Sequence, residues 1–192
     1  SAKVDLLKLA QIRKKASDLS GKPCVALLND SLEAVGFSKM NNAKNLVLKG
    51  TLTPDHVIRT KPFPWVINNN VDTSANNFIK RYDKYFKNNS NNKLTKLNSG
   101  PKWALWKENG TLSFSNSLKE AHIISDINKH TIRAMQISDN LDQWKPISFR
   151  DLFEVEYWEL EQAKLNKSSV AKEFEGKIAL IPWCGTQESE DE

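Results

Sequence analysis

The sequence has little cysteine, little glycine and little histidine. Its 192 residues hold two cysteines, Cys24 and Cys184, and seven glycines. Two widely separated thiols have neither the number nor the spacing of a disulfide framework or a structural zinc site. No glycine cluster leads from a strand pattern into a helix start, so the backbone cradle that holds the phosphates of a dinucleotide is missing. His56, His122 and His130 are all the imidazoles there are, and the last two sit about two turns apart on one predicted helix. No apolar run approaches the roughly 20 residues that span a bilayer, and the N-terminus lacks the apolar stretch of a secretory signal. A cytoplasmic chain with no metal and no cofactor is the expectation, and no membrane is expected as a partner.

What is present supports a folded domain. The hydrophobic fraction is 39%, with six Trp and eight Phe, and a chain of this length buries about 70% of its unfolded surface. The net charge is +5 and the pI about 9.1. The lysines are scattered among asparagines and carboxylates, without a basic stripe and interleaved aromatics, and residues 188–192 are acidic. Nucleic acid is therefore not an expected partner.

Periodicity organises the chain as follows. Residues 4–19 carry apolar positions at helical spacing, with Ser20-Gly21 as the stop. The short apolar run 24–28 suits a buried parallel strand. Asn29-Asp30-Ser31 offers an N-cap for a helix carrying Leu32, Val35 and Met40, and the run 46–48 reads as a second strand. Strand, helix and strand in so few residues predict a βαβ unit, hence a mainly parallel sheet flanked by helices, with function at the strand carboxyl ends. Residues 75–87 form a helix with Phe78, Tyr82, Tyr85 and Phe86 on one side, which reads as core. Asn109-Gly110 between 102–107 and 111–114 predicts one β-hairpin. Ser117 with Glu120 is a capping box that opens a helix to about Ser138. A last helix is expected over 149–165 and a last strand over 176–181.

The densest chemistry lies in residues 50–65, which hold three prolines, His56, Arg59 and Lys61. Thr53-Pro54-Asp55 reads as a helix start, with Thr53 as N-cap and Pro54 at the first position. Pro62 and Pro64 end that turn by about Lys61. The turn presents Asp55, His56, Arg59 and Lys61 on a polar face, either as an anion or phosphate site or as a capped turn with a structural Asp-Arg pair.

Thr53-Pro54-Asp55-His56-Val57-Ile58-Arg59-Thr60-Lys61 resembles a segment of the bifunctional enzymes that join a class II (rhamnulose-1-phosphate type) aldolase to a short-chain alcohol dehydrogenase. The block 103–131 resembles that family's strand-glycine-strand-helix unit, a copy of half a class II aldolase. Leu152-Phe153-Glu154-Val155-Glu156-Tyr157-Trp158 and its continuation to Leu165 is the most specific match. Residues 174–181 look like the opening strand of the dehydrogenase domain. The resemblance implies a middle region that follows the aldolase half and precedes the dehydrogenase half: a single α/β domain over 1–166 and a truncated extension over 167–192.

The departures from that family set the functional expectation. The family would continue after Ile181 with a glycine-rich turn, whereas this chain has Pro182-Trp183-Cys184-Gly185-Thr186 and then acid. No Tyr-x-x-x-Lys pair is present, and the His-x-His metal pair of class II aldolases is absent. Where a catalytic aldolase would have His-Gly in the hairpin, this chain has Asn109-Gly110. The expectation is a catalytically inactive, truncated relative, not an enzyme as an isolated chain, left by gene decay or splitting. It would act as an interaction or scaffold domain, with a homo-oligomer or a protein as partner. The alternative is residual sugar-phosphate binding or aldolase activity at the 50–61 loop, with Asp55, His56, Arg59 and Lys61 as ligand-binding residues.

Overall fold

The structure is a computed structural model and describes residues 4–91, 94–158 and 173–179. Helix α1 (Leu6–Ser20) starts where the Asp5 carboxylate accepts from Lys8 N, and stops at Gly21, whose left-handed backbone donates to Ser17 and Asp18 carbonyls. Strand β1 (Val25–Asn29), α2 (Leu32–Lys39, capped by Ser31) and α3 (Ala43–Val47) follow. A 3₁₀ turn (Pro54–His56) runs into the short helix α4 (Val57–Thr60) and then strand β2 (Trp65–Ile67). Helix α5 (Val71–Asn89), the hairpin β3 (Trp103–Trp106) and β4 (Gly110–Ser115), α6 (Leu118–Leu141) and α7 (Phe149–Glu156) complete the described elements.

The sheet has the order β1-β4-β3-β2. It is not mainly parallel: β1 and β3 both pair antiparallel with β4, and only β2 and β3 run parallel. The mixed sheet follows from one segment. Residues 46–48 belong to no strand, because Ala43, Leu46 and Val47 are buried at the i, i+3, i+4 spacing of a helix and form α3. The parallel crossover comes one unit later, where α5 links β2 to its neighbour β3.

Alternation along the strands sorts side chains into two cores. Trp65, Ile67, Ala104, Trp106, Leu112 and Phe114 meet α1, α5 and Phe153 of α7 on one face. Val66, Trp103 and Leu105 meet α2, α3 and α6 on the other. Strand β4 is buried along its whole length, and its second face carries the small polar side chains Thr111, Ser113 and Ser115. That face lets α6 lie close, with Asn128 Nδ2 donating to Ser113 Oγ at 3.3 Å.

The hairpin forms as expected, with Trp106 opposite Gly110 and the loop of Lys107, Glu108 and Asn109 between them. Glu108 and Gly110 both take positive φ, and a Cβ on Gly110 would stand 2.2 Å from the Asn29 carbonyl oxygen. The expected strand 176–181 is not seen where it is described: Gly176 ends a turn and 177–179 are irregular. The expected continuation of α7 to Leu165, the end of that strand and the acidic residues 188–192 lie outside the described residues. No described helix is long and apolar enough to cross a membrane.

Leu112 is fully buried in the central strand, paired with Leu28 on one side and Ala104 on the other. Leu112→Ala is expected to cost about 2–5 kcal/mol, from lost transfer energy and a cavity that neighbouring strands cannot close. Urea unfolding midpoints at constant slope measure it.

Candidate functional site

The 50–61 turn places its polar residues in three different settings. Asp55 is exposed and forms no ion pair with Arg59. Thr53 starts the turn without a side-chain capping bond. His56 is half-buried, and its Nδ1 has no hydrogen-bond partner. Burial, with His130 nearby, pushes its imidazole pKa down against the opposing pull of Asp55. Among the described residues no three side chains of His, Cys, Asp or Glu come together as a metal site.

Lys61 turns inward. It is 5% exposed, with φ of 61°, and its Nζ lies 3.8 Å above the centre of the Tyr82 ring. The matching charge is Glu156 at the end of α7, 2% exposed, whose Oε1 accepts from Tyr82 Oη at 2.9 Å. Tyr157 Oη lies 3.1 Å from Tyr82 Oη and accepts from Leu97 N at 3.2 Å. Tyr85 Oη also faces Glu156 but makes no hydrogen bond of ordinary geometry. Burial lowers the Lys61 pKa to about 8, with Glu156 opposing the shift. Burial likewise raises the Glu156 carboxyl above the usual range, opposed by Lys61.

Arg59 faces a cleft instead. Of about 1620 Å³, it opens where α6 begins, between the turn after α1 and the approach to β3. Lys22, Lys102 and Lys119 line it with Arg59, and none of these four side chains has a hydrogen bond or ion pair with a described residue. Lys102 is pushed below the usual lysine range by burial first, then by Lys22 and Arg59, while Glu120 opposes. The cations are therefore close enough to repel one another. Ser117 caps α6 by accepting from Glu120 N at 3.2 Å, as its spacing predicts. The returning half of that box is relayed: Glu120 Oε2 accepts from Ser115 Oγ at 2.5 Å, and Ser115 Oγ accepts from Ser117 N. That carboxylate lines the cleft, as do Glu173 and Glu175, and the positive end of a 24-residue helix adds to the field there.

The far wall is the segment 173–177. Arg13 Nη2 donates to Gly176 O at 3.1 Å while its Nε donates to Cys24 O. Gly176 has φ of 73°, and a Cβ there would meet Pro23 O at 2.4 Å, so only glycine can seat this strap. Phe174 stays 71% exposed.

Reading the sequence found Arg59 but missed Lys22, Lys102 and Lys119, which lie in two separate loops and the first turn of α6 and share no spacing. Glu156 could have been found, because Leu152, Phe153 and Glu156 share the buried face of α7, and a carboxylate there needs a partner.

Comparison with known proteins fits this architecture of helices around a small mixed sheet. Residues 3–165 match the family described as "Aldolase class II, second domain". The chain belongs to that family. A Bacillus subtilis (strain 168) protein named "Uncharacterized oxidoreductase YuxG" is 25% identical over 172 residues, covering 83% of this chain and 25% of the relative. This aldolase-type domain therefore spans a quarter of the length of a protein named as an oxidoreductase. No solved structure matches the chain.

The buried charge pair makes stability depend on pH. From pH 8 to 9.5 the folded chain releases a proton from Lys61, at about 8, that the unfolded chain keeps, near 10.5. Stability should rise by about 1–2 kcal/mol across this window and fall back as pH returns to 8. Above about pH 10 the trend should reverse, because burial raises Tyr82, Tyr85 and Tyr157 and they stay protonated when unfolded tyrosines ionise. Lys61→Met should reduce the rise and cost about 3–5 kcal/mol by removing the ammonium that faces Glu156, with part recovered in Lys61→Met/Glu156→Gln. Urea unfolding at pH 8 and 9.5 reads both effects.

Proposed function

We propose that this domain binds a phosphate-bearing small molecule in the cleft at the start of α6 and has no chemistry of its own. It would serve as the middle region of a bifunctional class II (rhamnulose-1-phosphate type) aldolase and short-chain dehydrogenase. The observation that carries this reading is the convergence around one cleft of Arg59, Lys22, Lys102 and Lys119, none of them in an ion pair with a described residue. Glu120, Glu173 and Glu175 also line the cleft, but cations that form no ion pair with a described residue still repel one another, and a dianion removes that cost while gaining charge-assisted hydrogen bonds. Of the four residues expected as a ligand set, Arg59 enters the cleft, Lys61 serves the interior, and Asp55 and His56 stay outside.

A thermal melt tests the reading. Dihydroxyacetone phosphate or inorganic phosphate at about a hundred times its dissociation constant should add about 2.7 kcal/mol of stability, a rise of several degrees. Arg59→Ala and Lys102→Ala should each abolish most of the rise. No rise at 10 mM of either anion, or equal rises in the variants, would overturn the proposal.

A second reading, as an interaction domain that docks the polypeptide following it, is favoured by the seated strap. Arg13 and the Gly176 contact hold 173–177 against β1 with Phe174 and Ile178 turned outward, 71% and 67% exposed. Arg13→Ala should speed tryptic cleavage after Lys177 several-fold by freeing this strap, measured by mass spectrometry of a digestion series. Unchanged cleavage would mean that the strap does not depend on Arg13.

A further inference from the structure

A second groove, of about 660 Å³, lies at the opposite edge of the sheet, between the end of α2 and α3 on one side and α5 on the other. Its floor is the edge strand β2 with Val66 and Leu105, and its walls carry Lys39, Lys44, Lys80, Arg81, Lys84 and Lys107. Among the described residues no carboxylate lines it. Asn77, Lys80, Arg81 and Lys84 fall on one stripe of α5 at i, i+3, i+4 and i+7, so the charge runs along the groove and not around a point. None of the five lysines forms an ion pair with a described residue, and Arg81 rests 5.6 Å from the centre of the Phe63 ring.

The backbone of β2 supplies the second half of the recognition. In a parallel ladder alternate residues direct their N–H and C=O groups to one neighbour. Lys107 N donates to Ile67 O, so Ile67 and Trp65 face β3. Val66, with the Pro64 carbonyl and the Asn68 N–H, then faces the open edge inside the groove. None of these groups has a hydrogen-bond partner among the described residues outside the ladder. An edge strand with free backbone groups is a template for one more strand, and natural edges are blunted with lysine to discourage unselected pairing. Here lysines flank the edge on both walls, which selects for an incoming strand of opposite charge.

We propose that this groove receives an extended acidic peptide segment, added as a strand beside β2. Main-chain hydrogen bonds at Pro64, Val66 and Asn68 would set its register. Its carboxylates, all on one face of the added strand, would meet Lys80 and Lys84 of α5, and the alternate apolar side chains on its other face would meet Val66 and Leu105.

Fluorescence anisotropy of a labelled ten-residue peptide alternating glutamate and valine tests this. Binding is expected at micromolar dissociation constant in low salt, weakening as salt rises. The exposed substitutions Lys80→Glu and Lys84→Glu together should weaken it at least tenfold, while leaving the thermal melt of the domain unchanged. A peptide with N-methylated amides on its pairing edge should also bind at least tenfold more weakly, because charge alone cannot replace the backbone bonds. Equal binding of the N-methylated peptide, no binding at 1 mM, or tighter binding of a single-stranded oligothymidylate would overturn the proposal.

Discussion

The burial of one lysine constrains most of this domain. An ammonium group removed from water is tolerated only where a counter-charge and hydrogen-bonding groups meet it. Lys61 finds these in Glu156 and the Tyr82 ring, which brings α4, α5 and α7 to one place. The aromatic cluster around them, with Phe63 edge-on to Phe78, Tyr85 and Phe149, forms only when that meeting has happened. Replacing such a pair by apolar groups often costs nothing, so its contribution is to specify which segments meet. Both clefts inherit their positions from it. With Lys61 fixed inward, Arg59 on the same short helix faces the cleft at α6, and the prolines after Lys61 carry the chain into β2 at the sheet edge.

Residues 53–61 and 152–158 supply Lys61 and Glu156 respectively. They lie far apart in sequence and touch in space. A buried charge pair couples the two stretches, since changing one partner alone is costly, and that coupling is a folding role that requires no catalytic one for either side chain.

Local signals were legible wherever a turn or a cap fixed the backbone. The Asn109-Gly110 hairpin, the Ser117 start of α6, the Gly21 stop of α1 and the aromatic stripe of α5 all follow from short-range chemistry. The reading failed at 46–48, where three apolar residues in a row fit a strand or a helix equally well. The deciding residue was Ala43, whose burial completes a helical face that a three-residue window does not contain. That one misreading turned a mixed sheet into a parallel one, because it placed a βαβ unit before β2 in place of the crossover after it. The inward turn of Lys61 had no comparable local signal, since charged side chains next to prolines are ordinarily solvated.

The distribution of charge was least legible of all. As a string the lysines are scattered, and a net charge of +5 distinguishes no surface from another. Folding sorts them by which find partners. Lys14, Lys15, Lys96, Lys129, Arg133 and Arg150 pair with carboxylates. The cations of the two clefts form no ion pair with a described residue, and they come from α2, α3, α4, α5, α6 and the loops between them. Exposed pairs of the first kind contribute little to stability, but each neutralises a cation away from the clefts. In the groove beside β2 no carboxylate of the described residues offsets the lysines. Net charge is thus a poor descriptor of these surfaces. The relevant quantity is the unpaired cations per cleft, and it becomes visible only when the acids have been assigned.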